Sequence, residues 1–406
     1  MKIGIDARIY KTGIGRYTRN LIKELGGIVS PDDELVVFLR KNDLDEFASS
    51  EAANKPRRFA KAVVADFPPY SFKEQLFFPW VLWRQRLDLV HFTNFNVPVL
   101  WPGRFTLTIH DLIHMSHSTF GSSTRNYLYY LIKHWVYQWA IRWVAWRAAR
   151  IFVPSEATKV DVVERLRVRA DKVVVTYEGV EEEWKVESGK LKVQKGKEPP
   201  NFQFSTFNFP LKYNIHPPYL LYVATMYPHK NHARLIEAFK LLRDEYPDLQ
   251  LVLVGKVDYF SKSLKETLTQ DVRLRTLPKD AVIFPNFQCA DGYLPDEDLH
   301  VFYRHAAVYV FPSLKEGFGI PILEAQAHGL PVACARISCL PEIGGDSVMY
   351  FDPESVPDIA EQVKRVLEDE SLRRELTRKG FENLKRFSWQ DMSRKTYMTY
   401  KELLKQ

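Results

Sequence analysis

Two glutamates eight positions apart, Glu316 and Glu324, lie in the segment PSLKEGFGIPILEAQAHGLP, residues 312–331. A glycine turn, Gly317–Gly319, stands between them, and an apolar run that predicts a helix begins at Ile320. Such a turn directs backbone N–H groups and the positive end of the helix dipole toward a phosphate. Carboxylates would repel a phosphate, so we expect the glutamates to accept hydrogen bonds from neutral hydroxyls. A ligand with both groups is a sugar nucleotide.

A lysine lies at the mouth of a second predicted strand–helix loop. The loop YPHKN, which contains Lys230, follows the predicted strand Tyr219–Ala224 and precedes the predicted helix Ala233–Leu242. An ammonium group at that place can neutralise a diphosphate as a point charge. A solvated surface lysine is the alternative, and this loop alone leaves both interpretations open.

A glycine loop follows the first predicted strand. The segment GIDAR begins at Gly4, and GIGRY, from Gly13 to Tyr17, follows it and opens a helix. Glycines let the backbone approach a ligand closely, as in phosphate-binding turns. The third glycine of a dinucleotide fingerprint is missing, so a tight strand–helix turn without a ligand is an equal alternative.

A histidine and an aspartate, His110 and Asp111, directly follow the apolar strand Phe105–Ile109. The carboxyl end of a parallel strand is where ligands bind, which favours His110 as a site residue over a structural histidine. His114 and His117 follow it, but a zinc site would lack a clear helix and a general-base carboxylate. We therefore predict no metal there.

Strand-like runs alternate with helical patterns along most of the chain, which is typical of parallel α/β sheets. The pattern fails from Glu181 to Pro218, a stretch rich in lysine, glycine and proline that we interpret as a linker or long surface loop. We predict two doubly wound, Rossmann-like domains with a ligand cleft between them. The predicted parts are an N-terminal domain (1–190), a linker (191–218), a C-terminal domain (219–387) and a last helix (388–406) that can pack back on the first domain.

The predicted strands of the first half are Lys2–Asp6, Glu34–Leu39, Leu89–Phe92, Thr106–Ile109, Ile151–Val153 and Lys172–Thr176. Those of the second half are Tyr219–Ala224, Gln250–Val254, Val282–Phe284, Val308–Phe311, Pro331–Ala335 and Val348–Phe351. Predicted helices include Asp296–His305 and the charged stretch from Ser355 to Gln406.

Length and composition narrow the class of protein. A chain of 406 residues, 46% apolar and 26% charged, fits two globular domains. It has no apolar run long enough for a membrane-spanning helix. Three cysteines without metal-like spacing, and no signal-peptide pattern, predict reduced thiols and a cytoplasmic protein. The formal net charge of +7 fits an anionic partner but selects none.

Two stretches, 76–86 and 127–150, combine aromatic residues with arginine or lysine. In the second, Trp135, Trp139, Trp143 and Trp146 recur at helical spacing. A helix of this kind could dock on an anionic membrane as a peripheral contact. Its apolar positions run nearly all the way round, however, so a buried core helix is the alternative.

Taken together, these motifs resemble retaining glycosyltransferases of the GT-B fold, carbohydrate-active family 4. The resemblance runs across nearly the whole chain, and the EGFG turn inside the Glu-x7-Glu element is its most specific part. The subgroup that is most similar comprises bacterial mannosyltransferases that build polysaccharides, often with GDP-mannose. The segments that carry the resemblance are GIDARIYKTGIGRYTRNL, DLVHFTN, TIHDLIH, VPSEATKVDVVERL, YLLYVATMYPHKNHARLIEAF, GYLPDEDLHVFYRHA, VFPSLKEGFGIPILEAQAHGLPVAC and SCLPEIGGDSVMYFDP.

The resemblance implies that the N-terminal domain binds the acceptor and the C-terminal domain the nucleotide sugar. It implies that Lys230 contacts the diphosphate, that Glu324 accepts from the ribose hydroxyls, and that Glu316 holds hydroxyls of the transferred sugar. The residues implied in catalysis are His110, Glu316 and Lys230. Those implied in donor binding are Gly13, Gly15, Thr225, Lys230, Tyr293, Glu316, Gly317, Phe318, Gly319, Ile320 and Glu324.

Two departures from the family pattern bear on the donor. Many members have an arginine where this chain reads Ala224-Thr225, so the diphosphate charge would rest mostly on Lys230, with His229 as a second cation. The loop Phe284–Asp291 is longer or irregular, and because that region normally touches the base, it leaves guanine or uracil preference open.

The activity implied is transfer of a hexose, with mannose from GDP-mannose favoured, to a hydroxyl of a glycan or lipid-linked oligosaccharide. The alternatives are a UDP-sugar donor, a nucleotide-sugar epimerase and a non-catalytic binding protein. Retention by double displacement would need a carboxylate nucleophile, whereas the resemblance implies reaction on one face, with the leaving diphosphate taking the acceptor proton. We expect no metal or other cofactor, because Lys230 and a helix N-terminus can stabilise the leaving group. We expect no nucleic-acid partner either, because the basic residues form no recognisable module.

Overall fold

The computed structural model describes residues 1–10, 14–49, 60–68, 71–116, 127–181, 184, 213–271, 274, 276–278 and 280–405. The chain divides into two compact units. The first comprises Met1–Glu178 and Ser388–Gln406, and the second comprises Gly179–Phe387. The end predicted for the N-terminal domain, residue 190, lies outside the described residues.

The first unit is built on a parallel sheet of seven described strands in the order β3-β2-β1-β4-β5-β6-β7. Its strands are β1 (Lys2–Asp6), β2 (Glu34–Leu39), β3 (Ala60–Val64), β4 (Leu89–Phe92), β5 (Phe105–Thr108), β6 (Arg150–Val153) and β7 (Val173–Val175). Its helices are α1 (Gly15–Ile28), α2 (Leu44–Ser49), α3 (Phe72–Arg84), α4 (Ile113–Ser116), α5 (Tyr127–Arg147) and α6 (Glu156–Leu166).

The second unit repeats the same arrangement with six described strands in the order β10-β9-β8-β11-β12-β13. Its strands are β8 (Tyr219–Val223), β9 (Gln250–Val254), β10 (Val282–Ile283), β11 (Val308–Phe311), β12 (Val332–Ala335) and β13 (Met349–Phe351). Its helices are α7 (His232–Glu245), α8 (Tyr259–Gln270), α9 (Asp296–His305), α10 (Ile320–Ala327), α11 (Leu340–Gly344), α12 (Val356–Glu368) and α13 (Glu370–Leu384).

Both sheets are parallel throughout the described pairs, which confirms the prediction of doubly wound α/β domains. Strands that helices cover on both faces read as continuous apolar runs, and β9 (QLVLV) and β11 (VYVF) are buried at every position. In each sheet the strand order reverses beside the first strand, between β1 and β4 and between β8 and β11. Ligands of open α/β sheets bind at the carboxyl ends of the strands at such a reversal.

The last helix, α14 (Trp389–Lys405), belongs to the first unit and packs on α1. The Tyr397 hydroxyl contacts the Asp33 carboxylate, and the Tyr400 hydroxyl contacts the Nδ1 atom of buried His91. Trp389 packs edge-on against Tyr17 of α1, with ring centroids 6.5 Å apart. Buried polar contacts of this kind fix the register of the helix on the unit, because each side chain would be left unsatisfied in another position.

Most strands lie within one residue of their predicted bounds, and β1, β2, β4, β9 and β11 match them. The exception is β3 (Ala60–Val64), which the sequence analysis did not predict. It is an edge strand, and residues 50–59 before it lie outside the described part of the chain. An edge strand is buried less completely, so its sequence, AKAVV, lacks the long apolar run of the central strands.

A buried ion network lies at the carboxyl end of β1. The Arg8 guanidinium donates to both oxygens of Asp6, at 2.8 and 2.7 Å, and pairs with Glu74 of α3 at 2.7 Å. Glu74 also accepts a hydrogen bond of 2.7 Å from the Asn96 amide. The side chain of Arg8 is 2% exposed and that of Glu74 is not exposed, so each charge depends on its partners for the solvation that water would supply.

We predict that Glu74→Ala lowers the free energy of unfolding by about 3–5 kcal/mol, because it leaves Arg8 buried with one carboxylate fewer. Chemical denaturation followed by tryptophan fluorescence measures this loss. Glu34→Ala is the matched control, since Glu34 pairs with Lys2 at 3.1 Å while 44% exposed, and it should cost less than about 1 kcal/mol. Equal losses in the two variants would contradict the role of the network.

Candidate functional site

In the second unit, the structure brings Lys230 and Glu316 into direct contact. Lys230 follows β8 in a short 3₁₀ turn, Pro228–Lys230, and Glu316 lies in the loop after β11. The Lys230 Nζ atom is 2.6 Å from Glu316 Oε1, and the two side chains are only 13% and 10% exposed. Because β8 and β11 are neighbours at the strand-order reversal, their loops meet at the expected ligand position.

Hydrogen bonds hold the loop of Glu316 against both neighbouring segments. The Leu314 amide donates to the His229 carbonyl at 2.8 Å, which ties this loop to that of Lys230. The Glu316 carbonyl accepts from the Ser338 hydroxyl at 2.8 Å, and the Phe318 carbonyl accepts from the Cys339 thiol at 3.1 Å. The loop is therefore positioned before any ligand arrives, which lowers the entropic cost of binding.

Asn231 completes this scaffold from a left-handed backbone conformation, with φ +64°. Its buried side-chain amide donates to the carbonyls of Pro312, at 3.1 Å, and Pro353, at 2.7 Å. Asparagine tolerates this conformation better than most residues. Asn231 thus lets the chain turn from the Lys230 loop into α7 and at the same time anchors the start of the Glu316 loop.

Gly319 opens α10 with φ +107°, a conformation that only glycine adopts readily. A Cβ atom there would also lie 3.0 Å from the Leu340 side chain. Pro321 follows in the first turn, and among the described residues no side chain caps this end of the helix. The N-terminus of α10 therefore combines a positive dipole end with a closely approachable backbone, as the sequence analysis expected.

Glu324 lies one turn into α10 and is 4% exposed. Its Oε2 atom accepts a hydrogen bond of 2.6 Å from the hydroxyl of Tyr303 on α9. The Tyr303 ring stacks on His328, with centroids 5.1 Å apart. The carboxylate is thus held in one orientation by a partner that the sequence analysis missed.

His328 continues this network on the far side of Glu324. Its Nδ1 atom lies 2.8 Å from the Glu324 carbonyl, which can only accept, so Nδ1 carries a proton. Its Nε2 atom lies 2.9 Å from His300 Nδ1, so that atom accepts from the His300 ring. Burial lowers the pKa of His328 to about 4, which favours this neutral form. Trp184 packs on His300 with ring centroids 4.5 Å apart.

Of the other residues implied in donor binding, Thr225 lies in the loop after β8, as Lys230 does, and Tyr293 lies in the loop between β10 and α9. The Thr225 carbonyl accepts from the Tyr222 hydroxyl at 3.3 Å, and a Cβ on Gly255 would lie 2.2 Å from the Ala224 carbonyl. The end of β8 therefore lies very close to the backbone that follows β9, and only glycine fits at position 255.

The irregular loop expected at Phe284–Asp291 contains a short 3₁₀ helix, Pro285–Gln288, after a two-residue strand. Next to it is a cavity of about 520 Å³. The residues that line the cavity are Tyr213, Gln288, Cys289, Ala290, Asp291, Tyr293, Leu294 and Pro295. Tyr293 is 53% exposed, and the Lys256 ammonium lies 5.8 Å from its ring centre.

In the first unit, His110 follows β5 and is held on both ring nitrogens. Nε2 lies 3.1 Å from the Thr93 carbonyl, and Nδ1 lies 3.2 Å from the Glu178 carboxylate. The carbonyl can only accept, so Nε2 carries a proton. The ring packs edge-on against Tyr17 at 4.8 Å. Two acceptors and an aromatic neighbour fix its orientation, and Glu178 is a partner that the sequence analysis missed.

Gly15 begins α1 beside the same sheet edge. A Cβ atom there would lie 2.1 Å from the Tyr10 carbonyl oxygen and 2.4 Å from that of Ile9, so no other residue fits this close approach. Gly13 and His117 lie outside the described residues. Among the residues that the structure describes, no group of three or more His, Cys, Asp or Glu side chains could hold a metal ion.

Two family models match successive parts of the chain. Residues 11–184 match the model described as Glycosyltransferase Family 4, and residues 205–383 match that described as Glycosyl transferases group 1. Both models fall on the units that hold His110 and the Lys230–Glu316 pair. The chain is a GT-B, mannosyltransferase-like glycosyltransferase. The resemblance found in the sequence motifs is thereby confirmed.

Named relatives of this glycosyltransferase transfer mannose. The chain is 28% identical over 405 residues to the O-antigen chain mannosyltransferase B of Escherichia coli, covering 97% of this chain and 96% of the relative. It is 32% identical over 251 residues to the serotype-specific mannosyltransferase WbdA of Escherichia coli, covering 60% of this chain and 27% of that longer protein.

Solved structures confirm the fold of the glycosyltransferase. Sucrose-phosphate synthase from Thermosynechococcus elongatus matches with a TM-score of 0.70 and 19% identity, covering 99% of both chains. HepE of Anabaena in complex with UDP and glucose matches with a TM-score of 0.69 and 16% identity, covering 99% of this chain and 100% of HepE. WaaG, a glycosyltransferase involved in lipopolysaccharide biosynthesis, matches with a TM-score of 0.66 and 15% identity, covering 98% of both chains.

We predict that the glycosyltransferase loses stability as the pH falls from about 6.5 toward 4, partly through His328. In this range the unfolded chain binds a proton at residue 328 that the folded protein excludes, so acid favours unfolding. For a pKa lowered from 6.5 to about 4, the loss is about 3 kcal/mol. Unfolding free energies across this range should fall less steeply for His328→Gln, and identical slopes would contradict the assignment.

Proposed function

We propose that the protein is a retaining mannosyltransferase that uses GDP-mannose. The observation that carries the proposal is the similarity to O-antigen chain mannosyltransferase B, which extends over 97% of this chain and 96% of that one. The match to the mannosyltransferase WbdA supports the same sugar. As acceptor we propose a glycan, free or lipid-linked, because both relatives are named for O-antigen or serotype-specific mannosyl transfer.

The second unit, in this proposal, binds the donor at the carboxyl ends of β8 and β11. Lys230 binds the diphosphate: an ammonium has three N–H donors, so it can keep its 2.6 Å bond to Glu316 and still donate to phosphate oxygens. The turn Gly317–Gly319 and the first residue of α10, Ile320, present backbone to the same anion.

The two glutamates, Glu316 and Glu324, bind hydroxyl groups of the donor. Glu316 binds hydroxyls of the transferred sugar, and Glu324, oriented by Tyr303, binds the ribose hydroxyls. Thr225 lies beside the diphosphate and Tyr293 beside the base, next to the cavity of about 520 Å³. Gly13 and Gly15 let the backbone of the first unit approach the substrates, as the pattern of their loop predicts.

The reaction proceeds on one face of the sugar. The bond from the anomeric carbon to the diphosphate oxygen breaks, the acceptor oxygen bonds to that carbon, and its proton passes to the leaving diphosphate. His110, fixed by Thr93 and Glu178, contacts the transferred sugar in the reacting complex. Lys230 and the N-terminus of α10 stabilise the charge that develops on the leaving group, so we propose that the reaction needs no metal or other cofactor.

We place the protein in the cytoplasm. Among the described residues, Cys289, Cys334 and Cys339 are all free thiols. Burial raises the pKa of Cys334 and of Cys339, which keeps both thiols protonated and unreactive, as expected of a reduced compartment. In the described part of the chain, no helix is long and apolar enough to cross a bilayer.

A uridine diphosphate sugar is the alternative donor. HepE, whose fold is similar, was solved in complex with UDP and glucose. The base-side loop after β10 departs from the family pattern, and its cavity is lined by groups that can accept or donate, including Gln288 and Asp291. A direct comparison of guanosine and uridine ligands therefore decides the donor.

We predict that GDP-mannose and GDP raise the thermal unfolding midpoint, whereas UDP-glucose and UDP do not. A ligand present at about 100 times its dissociation constant adds roughly 2.7 kcal/mol to stability, which a thermal-shift measurement detects. Glu324→Ala should abolish the shift, because it removes the acceptor of the ribose hydroxyls.

Glu361→Ala is the control for that variant, because Glu361 is exposed on α12 in the same unit and should leave the shift intact. Selective stabilisation by the uridine ligands would overturn the donor assignment and leave the glycosyltransferase identity in place. A full GDP-mannose shift in Glu324→Ala would instead overturn the role of that carboxylate.

We predict that Lys230→Ala lowers kcat about 100-fold or more, by analogy with the loss of one charge-stabilising donor. The measurement is donor-saturated turnover with a mannose-containing acceptor. Because the substitution also leaves Glu316 buried without its partner, Lys230→Arg is the second variant. It keeps the charge and should fold normally and retain more turnover than the alanine variant.

Lys262→Ala, which removes an exposed lysine of α8, should turn over at the wild-type rate. If Lys230→Ala is folded by its thermal unfolding midpoint and keeps near-normal kcat, Lys230 does not stabilise the leaving group.

A further inference from the structure

The exposed face of α5 carries a row of tryptophans. Trp135, Trp139, Trp143 and Trp146 are 69, 49, 36 and 67% exposed, respectively. Their spacing of four, four and three residues follows one face of a helix. Trp139 and Trp143 stack with centroids 5.9 Å apart and planes at 7°, and Trp143 contacts Trp146 at 5.6 Å. Of the two alternatives left open by the sequence, a helix buried on all sides does not describe this face, although Ile141, Val144 and Ala145 pack into the core.

A second stripe with the same spacing lies on α3. Phe72, Leu76, Trp80 and Trp83 are 89, 69, 53 and 69% exposed, and Phe77 beside them is 53% exposed. The opposite face, with Phe78 and Leu82, is buried in the core of the first unit.

One residue joins the two helices. The Val99 N–H donates to the side-chain oxygen of Gln75 on α3 at 2.9 Å, and the Val99 carbonyl accepts from the Trp143 indole of α5 at 3.2 Å. Leu100, next along the chain, is 80% exposed. We call α3, α5 and the segment 99–100 between them the tryptophan surface.

The tryptophan surface exposes more apolar area than the largest apolar patch of a typical monomeric protein. At about 200 Å² for a whole aromatic side chain, the exposed fractions of its rings sum to roughly 1,000 Å². The largest apolar patch of a typical monomer is about 300–600 Å². Six of the chain's nine tryptophans lie here, and tryptophan is the side chain that best suits the boundary between water and lipid.

The exposed charges on α3 and the charged residues in the sequence of α5 all have one sign. Between Asp111 and Glu156 the sequence has no Asp or Glu but five Lys or Arg. On α3 the exposed charges are Lys73 and Arg84, because Glu74 is buried against Arg8. The Arg84 guanidinium lies 4.2 Å from the centre of the Trp80 ring, so a positive charge lies directly beside an exposed aromatic ring of this surface.

We propose that the tryptophan surface docks this enzyme on an anionic lipid bilayer, with the tryptophan rings in the headgroup region and the flanking cations on lipid phosphates. Apolar area and positive charge together are what an interfacial helix needs, and neither helix has to cross the bilayer. The proposal goes beyond the donor and sugar chemistry and does not depend on which donor is used.

Two other occupants fit the same observations less well. A second copy of the chain would bring like charges together across a symmetric contact, which costs free energy. A glycan would stack on open ring faces, but Trp139 and Trp143 are stacked on each other, and aliphatic Leu76 and Leu100 offer sugar hydroxyls no partner.

The test is flotation of the full-length protein with vesicles of phosphatidylcholine alone or with about 30% phosphatidylglycerol. We expect binding to the anionic vesicles and weaker binding at high salt, because salt screens the cationic part. Trp135→Ser/Trp146→Ser and, separately, Trp83→Ser should each lower the partition coefficient about tenfold or more, because less apolar area is buried.

Tyr259→Ser is the matched control, since Tyr259 is an aromatic residue 66% exposed in the second unit. It should float as the wild type does, and thermal unfolding midpoints should be unchanged in all the variants. Absence of binding to the anionic vesicles, or undiminished flotation of either tryptophan variant, overturns the proposal. A lipid-free dimer in sedimentation velocity that Trp135→Ser/Trp146→Ser dissociates would assign the surface to a second copy instead.

Discussion

The ion pair between Lys230 and Glu316 is the interaction on which the rest of the candidate site depends. A lysine and a glutamate 86 positions apart meet at 2.6 Å with little exposure to water. Removing two charges from water costs desolvation free energy, and their mutual attraction offsets this cost only when the geometry of the pair is good. The surrounding hydrogen bonds supply that geometry, through the Leu314 amide, the Asn231 amide and the Ser338 hydroxyl. A site held in this way is ready for a charged ligand without further folding.

The parallel sheet decides where such a pair can form. In each unit the strand order reverses beside the first strand, so the loops that follow two neighbouring strands diverge to opposite faces and leave a crevice at their carboxyl ends. Lys230 and Glu316 occupy that position in the second unit, and Gly15 and Thr93 follow the corresponding strands, β1 and β4, in the first. The same constraint places Lys230, Glu316 and the N-terminus of α10 at one sheet edge.

Buried aromatic and polar side chains orient the polar groups near this edge. Glu324 is oriented by Tyr303, and His328 stays neutral beside it because burial lowers its pKa to about 4. In the first unit, Thr93 and Glu178 orient His110 in the same manner. The aromatic residues of one face of α3 and of α5 are exposed instead, and in our proposal a lipid surface contacts them.

The sequence by itself determined the class of fold, most strand positions and the residue types of the site. Buried parallel strands are continuous apolar runs, and the glycine turn between Glu316 and Glu324 has a direct chemical meaning. The sequence did not determine the edge strand β3, because its composition lacks the long apolar run. Nor did it determine the partners Tyr303, Glu178 and Asn231, because contacts between residues tens of positions apart leave no local pattern. For Asn231 a hint existed, since asparagine just before a helix tolerates a left-handed turn. Only the tertiary structure decided which face of α5 is buried, because periodicity cannot separate core from surface when apolar residues surround a helix.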